Sequence, residues 1–408
     1  MDMRVKAKQK LVMIGNGMAG VRTIEELLKV APDLYDITVF GAEPHPNYNR
    51  ILLSPVLAGE QTLDEIVLNS FEWYAENSIT LHAGKKVTEV DRVKRVVKAS
   101  DGTEAEYDRL LICTGSNPFI LPVPGKDLEG VIAYRDIADT NAMIEAATKY
   151  QHAVVIGGGL LGLEAANGLM LRGMKVTVVH VQPTLMERQL DTVAGGLLQK
   201  SLEERGLKFL MGAQTQELVG GEDGRVKSIK FKDGTEVPAD LVVMAVGIRP
   251  NTELAQSMRL HVDRGIVVTD TMQTVTDARI YSVGECAAHR GIAYGLVAPL
   301  FEQAKVAANH LAEYGIGRYQ GSLTSTKLKV TGIDLFSAGN FTGGEGFEEI
   351  VMSDPFGGVY KKLVIKDDKL VGACMYGDTV DGSWYFKLLR EGRTVGDIRD
   401  KLMFGESN

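Results

Sequence analysis

The sequence predicts an α/β protein made of two nested parallel-sheet domains of one plan, followed by a smaller α+β domain. Three observations predict it. A glycine-rich turn of one form occurs twice, as GNGMAG from Gly15 and as GGGLLG from Gly157. Each copy runs from a β-branched apolar stretch into a stretch of helical periodicity. Beyond about residue 321 the pattern changes to short apolar runs separated by turn signals.

The first copy follows residues 10–14 (KLVMI), a continuous apolar run of the kind buried in parallel sheets, and leads into VRTIEELLKV, whose apolar residues recur at helical spacing. The second follows residues 153–156 (AVVI) and leads into LEAANGLML. In such a strand–turn–helix the first glycine permits the tight turn, and the second lets backbone approach a pyrophosphate. The third lets helix pack closely on strand, while the helix N-terminus attracts the phosphate charge. Gly15, Gly17 and Gly20, with Met18 and Ala19 in the same turn, therefore read as one Rossmann-like dinucleotide site. Gly157, Gly159 and Gly162, with Leu160 and Leu161, read as a second. The doubling implies two dinucleotides.

An acidic residue should close each first strand–helix–strand unit by accepting hydrogen bonds from a ribose. The first copy supplies it, because the strand at 36–40 (DITVF) runs into Gly41, Ala42 and Glu43. The second strand of the other copy, 175–179 (KVTVV), ends instead in His180, Val181 and Gln182. Its nearest charges are Glu187 and Arg188. The missing carboxylate weakens a strict NAD preference, and an arginine nearby would suit a 2′-phosphate, so NADH and NADPH both stay open.

The plan repeats beyond the glycine loops. After the first unit, residues 92–99 (RVKRVVKA), the Asp101-Gly102 turn and 107–113 (YDRLLIC) read as a hairpin-like crossover returning to a central strand, which exits through Thr114, Gly115, Ser116, Asn117 and Pro118. After the second, 225–231, Asp233-Gly234 and 240–246 (DLVVMAV) do the same, ending in Gly247. The domains predicted are residues 1–118 with 249–320, residues 119–248, and residues 321–408. In the last, strands are expected at 327–330, 334–338, 358–365 and 369–376, then helices at 382–390 and 395–403.

Composition excludes several functions. With 45 Lys and Arg against 53 Asp and Glu, the net charge of -8 argues against a nucleic-acid surface. The basic stretch with Arg4, Lys6 and Lys8 reads as a solvated tail. No apolar run approaches the roughly 18 residues needed to span a bilayer, and no signal-peptide core follows Met1, so a cytoplasmic protein is expected. Cys113, Cys286 and Cys374 are far apart, which leaves no dithiol and no cluster ligand pair, and each reads as a packing residue. Histidines at His45, His82, His152, His180, His261, His289 and His310 form no ligand motif, so no metal is expected. No nucleophile elbow or P-loop lysine is present either.

With these residues in view, the chain resembles the two-dinucleotide-binding flavoproteins of the pyridine nucleotide-disulfide oxidoreductase superfamily. GNGMAG with Glu43 looks like its FAD site and LLICTGSNP, which holds Thr114 and Gly115, like its first return strand. GGGLLGLE looks like its NAD(P)H site, with His180 at the strand end and Gly247 in the return strand. IYSVG with Gly284 and Glu285 resembles the motif whose acid, usually aspartate, holds the FAD ribityl hydroxyls. The resemblance further implies that the helix at 298–308, with Phe301, faces the flavin, and that Arg50, Val87 and Arg135 contact FAD. It implies that Glu164 orients the nicotinamide end as the catalytic carboxylate.

The thiol branches of that superfamily fit poorly, since no cysteine precedes Cys113. The cysteine-free branch, which passes electrons to iron–sulfur partners, fits better. Within it, HPNYNRILLSPVLAGE (45–60), PTLMERQLD (183–191) and VGEC (283–286) look most like the N-terminal flavoprotein part of assimilatory NAD(P)H nitrite reductase large subunits. Pro55 stands where ferredoxin reductases commonly carry a lysine near the flavin, and Leu160 where some relatives carry an aromatic gate. The resemblance implies FAD reduction by NADH or NADPH and onward transfer to an iron–sulfur protein or a downstream cluster and sirohaem module. Alternatives are a free-standing ferredoxin or rubredoxin reductase and a non-catalytic flavoprotein like apoptosis-inducing factor. Residues 321–408 would be the interface domain, for a homodimer or a docked partner. The chain ends at Asn408 without cluster or sirohaem domains, so the expected electron path ends in a partner.

Overall fold

Continuous apolar runs place the strands Gln9–Ile14 and Arg109–Ile112 side by side and parallel, with Ile14 opposite Ile112. The computed structural model describes residues 7–330 and 332–406. Arg4 and Lys6 lie outside the described residues, and Lys8 is exposed. The chain divides into two compact units: residues 1–52, 62–117 and 248–322, and residues 53–61, 118–247 and 323–408. The segment 53–61, which the sequence reading keeps with the first domain, groups with the second unit.

The first unit is built on a five-stranded parallel sheet in the order Ile280–Ser282, Arg109–Ile112, Gln9–Ile14, Tyr35–Phe40, Ile79–His82. On one face lie the helices Met18–Val30 and Val297–Leu311, joined through Val21, Ile24 and Leu27 with Ala307, Ala308 and Leu311. Val21, Ile24, Leu27 and Leu28 recur at three- and four-residue intervals, which makes a single apolar stripe. Burying such an isoleucine or leucine contributes roughly 1.5–3 kcal/mol. The helix stops at Ala31, driven to an extended φ of -147° ahead of Pro32.

On the other face sits a three-stranded antiparallel sheet, Val87–Asp91, Val96–Ala99 and Glu104–Glu106. The hairpin expected across Asp101-Gly102 is present, but its first arm begins at Val96 and not at Arg92. The Asp91 carboxylate accepts from the backbone amides of Val93 and Lys94, at 2.9 Å each, and Arg95 takes a left-handed φ of 58°, so a tight turn interrupts the run. Neither Gly nor Pro marks this turn, so residues 92–95 read as continuous with the strand that follows them.

The second unit repeats the parallel plan in the order Val131–Ala133, Leu241–Met244, His152–Ile156, Lys175–His180, Lys208–Met211. Its antiparallel sheet is Thr215–Gly220, Val226–Phe231 and Glu236–Pro238. The helix Leu160–Leu171 is apolar on most sides, and at Gly168 it leaves room for Leu57 of the helix Leu53–Ala58. The same unit holds a five-stranded antiparallel sheet in the order Ser325–Val330, Ile333–Gly339, Lys369–Tyr376, Val359–Lys366, Glu348–Asp354. The edge strand Glu348–Asp354 escapes the sequence reading because nearly all its residues are exposed and it lacks alternation. That sheet meets the rest of its unit at Asp191, which caps the helix Thr192–Glu204 and accepts from the Tyr360 hydroxyl at 2.6 Å. No helix among the described residues is long and apolar enough to cross a membrane.

Candidate dinucleotide sites

Each glycine loop is shaped by backbone crowding. Gly15 has φ +102° and Gly157 has φ +126°, and a Cβ on either would strike a return-strand carbonyl, of Cys113 in one unit and Ala245 in the other. Only glycine meets both demands. Gly17 and Gly159 cap the following helices, and neither helix has a side-chain cap. A Cβ added to either glycine would meet nothing within 4 Å. The uncapped amides of both helix starts therefore face open space, the setting in which a pyrophosphate is held.

In the first unit the Glu43 carboxylate accepts from the Tyr48 hydroxyl at 2.7 Å and from the Arg50 guanidinium at 2.6 Å. Arg50 also lies over the Tyr48 ring, 5.1 Å from its centroid. Sequence reasoning singled out Glu43 and Arg50 separately, and the structure brings them together through a tyrosine it did not consider. Thr114 and Gly115 turn away from the return strand, with Thr114 Oγ1 donating to the Asn251 carbonyl at 2.7 Å. Glu285 accepts from Ser116 Oγ at 2.6 Å, and the Gly284 amide donates to the Gln303 side chain at 3.1 Å. Phe301, half-buried on the helix Val297–Leu311, carries the Arg22 guanidinium 5.3 Å from its ring centroid. That helix too lacks a side-chain cap at Leu296. Met18 and Ala19 line the first helical turn. The Val87 side chain is buried with Val90, Val97 and Ala99, which leaves its backbone as what it can offer a ligand.

In the second unit Leu160 is half-buried and Leu161 exposed at the helix start, with Gly162 packed beneath them against the Gly157 carbonyl. Gly247 ends the return strand at φ +109°. Arg135 directs its backbone amide to Asp139, which forms a capping box with Asp136 at the start of the helix Ile137–Lys149. Glu164 is not a plain surface carboxylate: Ser54 Oγ donates to it at 2.6 Å, and the Tyr134 hydroxyl lies 3.2 Å from the same Ser54 oxygen. Burial pushes the Glu164 carboxyl above its ordinary 4.5, and the Ser54 hydrogen bond opposes that in part. Ser54 and Tyr134 were missed because nothing in their local sequence marks them, although Ser54 lies within the RILLSP stretch.

His180, buried at the end of its strand, accepts the Gly158 amide on Nδ1 at 3.1 Å. Its Nε2 lies 3.0 Å from Glu187 Oε2. The strand end that looks acid-free in sequence thus has a carboxylate brought to it by the loop 183–191. Among the described residues no group of three or more His, Cys, Asp and Glu could hold a metal ion. All three cysteines are free and buried.

The family model described as pyridine nucleotide-disulphide oxidoreductase matches residues 9–310, and that of the rubredoxin NAD+ reductase C-terminal domain matches 325–393. A nitrite reductase [NAD(P)H] of Bacillus subtilis (strain 168) is 53% identical over 96% of this chain and 48% of its own length. An assimilatory nitrate reductase electron transfer subunit of the same organism is 47% identical over 98% of this chain and 52% of its own. The chain therefore spans about half the length of these curated relatives. Among solved structures, the covalent putidaredoxin reductase–putidaredoxin complex matches with a TM-score of 0.86 and 26% identity, over 98% of this chain and 97% of that one.

Proposed function

The chain belongs to the pyridine nucleotide-disulphide oxidoreductase family, and from that premise we propose that it is an FAD-dependent NAD(P)H oxidoreductase feeding electrons to an iron–sulfur or sirohaem nitrite-reducing module or partner. The observation that carries the reading is the pair of uncapped, glycine-cornered helix starts, Gly17 and Gly159, each opening onto space that a Cβ would not disturb. We assign FAD to the first unit and the nicotinamide nucleotide to the second. The similarity to a nitrite reductase [NAD(P)H] of Bacillus subtilis supports the acceptor class. The match of residues 325–393 to a rubredoxin reductase C-terminal domain supports a second reading, a small iron–sulfur protein as direct acceptor. We assign that C-terminal part to contact with the acceptor or with a second copy of the chain, in the cytoplasm.

Bound FAD would supply hydride acceptance from reduced nicotinamide and release of single electrons onward. The chain's own residues hold, orient and tune. Helix amides at Met18 and Ala19 would bind the FAD pyrophosphate, Glu43 its adenosine ribose, and Glu285 its ribityl hydroxyls. The uncapped start of the helix Val297–Leu311 offers a positive end to a developing negative charge. Glu164, its carboxyl pushed up by burial and its Oε2 held by Ser54, would orient the nicotinamide carboxamide through a hydrogen bond. Ser54 fixes the direction of that carboxyl.

Anaerobic titration of the purified yellow protein with NADH and NADPH, followed by visible absorbance, tests the reading. Bleaching by at least one nucleotide, with turnover on ferricyanide or a ferredoxin, is the expected result. Tight nucleotide binding with negligible turnover would instead favour a non-catalytic flavoprotein.

A further inference from the structure

In a Rossmann-type unit the residue at the end of the second strand meets the adenosine ribose, and a carboxylate there accepts the 2′-hydroxyl. In the second unit this residue is His180, and its ring is already committed. Because the Gly158 amide donates to Nδ1, the ring proton must sit on Nε2, where it donates to Glu187 at 3.0 Å. The imidazole therefore has no acceptor left for a ribose. Glu187 does: its side chain is 40% exposed, and one hydrogen bond leaves most of a carboxylate's acceptor sites unused.

The loop that delivers Glu187 is firmly held. Leu185 and Met186 are buried, and the Met186 amide donates to the Gly158 carbonyl at 3.0 Å. Met186 adopts φ 52°, a left-handed conformation that a non-glycine residue takes only at a cost, and this turn directs Glu187 back toward the strand end. Asp191 anchors the far end of the loop by capping the next helix. The glycine loop, the histidine and the carboxylate are thus one hydrogen-bonded set.

We propose that Glu187, positioned by His180, replaces the missing strand-end acid and makes this site selective for NADH over NADPH. It accepts the 2′-hydroxyl of the adenosine ribose and repels a 2′-phosphate at the same place. The inference rests on the assignment of the second unit to the nicotinamide nucleotide.

Calorimetric titration of the FAD-loaded protein with ADP-ribose and with 2′-phospho-ADP-ribose reads the adenosine end alone, without turnover. ADP-ribose should bind more tightly by about tenfold or more, the scale of one charge-assisted hydrogen bond lost and one like charge met. Glu187→Gln should narrow that ratio at least about threefold, and Arg188→Gln should leave it unchanged. Equal binding of the two probes, tighter binding of the phosphorylated probe, or a ratio that follows Arg188 and not Glu187 would overturn the proposal while leaving the nucleotide site standing. Binding of neither probe would overturn the assignment of the site itself, and the proposal with it.

Discussion

Ser54 Oγ donates a 2.6 Å hydrogen bond to Glu164 Oε2, and this one contact ties the helix Leu53–Ala58 to the first turns of the helix Leu160–Leu171. It also fixes the sign of a pH effect. Burial raises the folded-state pKa of Glu164 above 4.5, so the contribution of this group is fully present below that value and is lost as pH rises through the folded-state pKa. Compared with Glu164→Gln, the native protein should lose stability over that window and run parallel to the variant on either side of it. Urea midpoints of the two proteins measured from pH 4 to pH 8, by roughly half-unit steps, check this. A constant difference throughout would mean that Glu164 titrates alike folded and unfolded.

Gly15 and Gly17, two of the three glycines of the first loop, should fail in different ways. Gly15→Ala meets the Cys113 carbonyl at a φ of +102° and should cost about 2 kcal/mol or more of stability, seen as a lowered melting temperature. Gly17 has an ordinary φ of -87° and open space around it, so Gly17→Ala should melt near the native temperature while retaining less FAD. Flavin absorbance per chain after gel filtration, beside the melting curve, separates the two. Full flavin content in Gly17→Ala would remove that glycine from the proposed pyrophosphate cradle.

Thiol reactivity gives a test of the packing role of the cysteines. Burial pushes the Cys113 thiol well up and the Cys374 thiol to about 12, and neither has the thiolate character that reaction requires. Native protein should therefore react negligibly with a thiol-specific chromogenic disulfide, and denatured protein should show all three thiols. A thiol that reacts quickly in the native state would point to a redox role for it.

What was legible in the sequence follows from how local each signal is. The paired glycine turns, the apolar strands and Glu43 are marked within a few residues, and the parallel sheets are built on those strands. The turn at 92–95 was not legible, because its cause is a single aspartate side chain bonding forward to two amides. Glu187 was visible only as a nearby charge: its approach to His180 depends on the left-handed turn at Met186, a residue type that gives no warning of such a conformation. Ser54 and Tyr134 come to Glu164 from distant segments, and no spacing rule connects them.

Asp191 makes the strongest demand on the second unit, because one side chain serves two ends. Its Oδ1 caps the helix Thr192–Glu204 through the Ala194 amide at 2.9 Å, while Oδ2 accepts from Tyr360 at 2.6 Å and faces Lys362 at 4.0 Å. Both Asp191 and Lys362 are almost wholly buried, at 10% and 9% exposure, so water cannot replace what is lost. Tyr360→Phe removes one hydrogen bond and should cost about 1 kcal/mol. Asp191→Ala removes the cap as well and leaves Lys362 with Glu349 as its carboxylate, so it should cost about 2–4 kcal/mol. In the double variant the Tyr360 contribution should vanish, because its acceptor has already gone. Urea denaturation of the three proteins supplies the cycle, and additive losses would show that the hydroxyl and the carboxylate act independently.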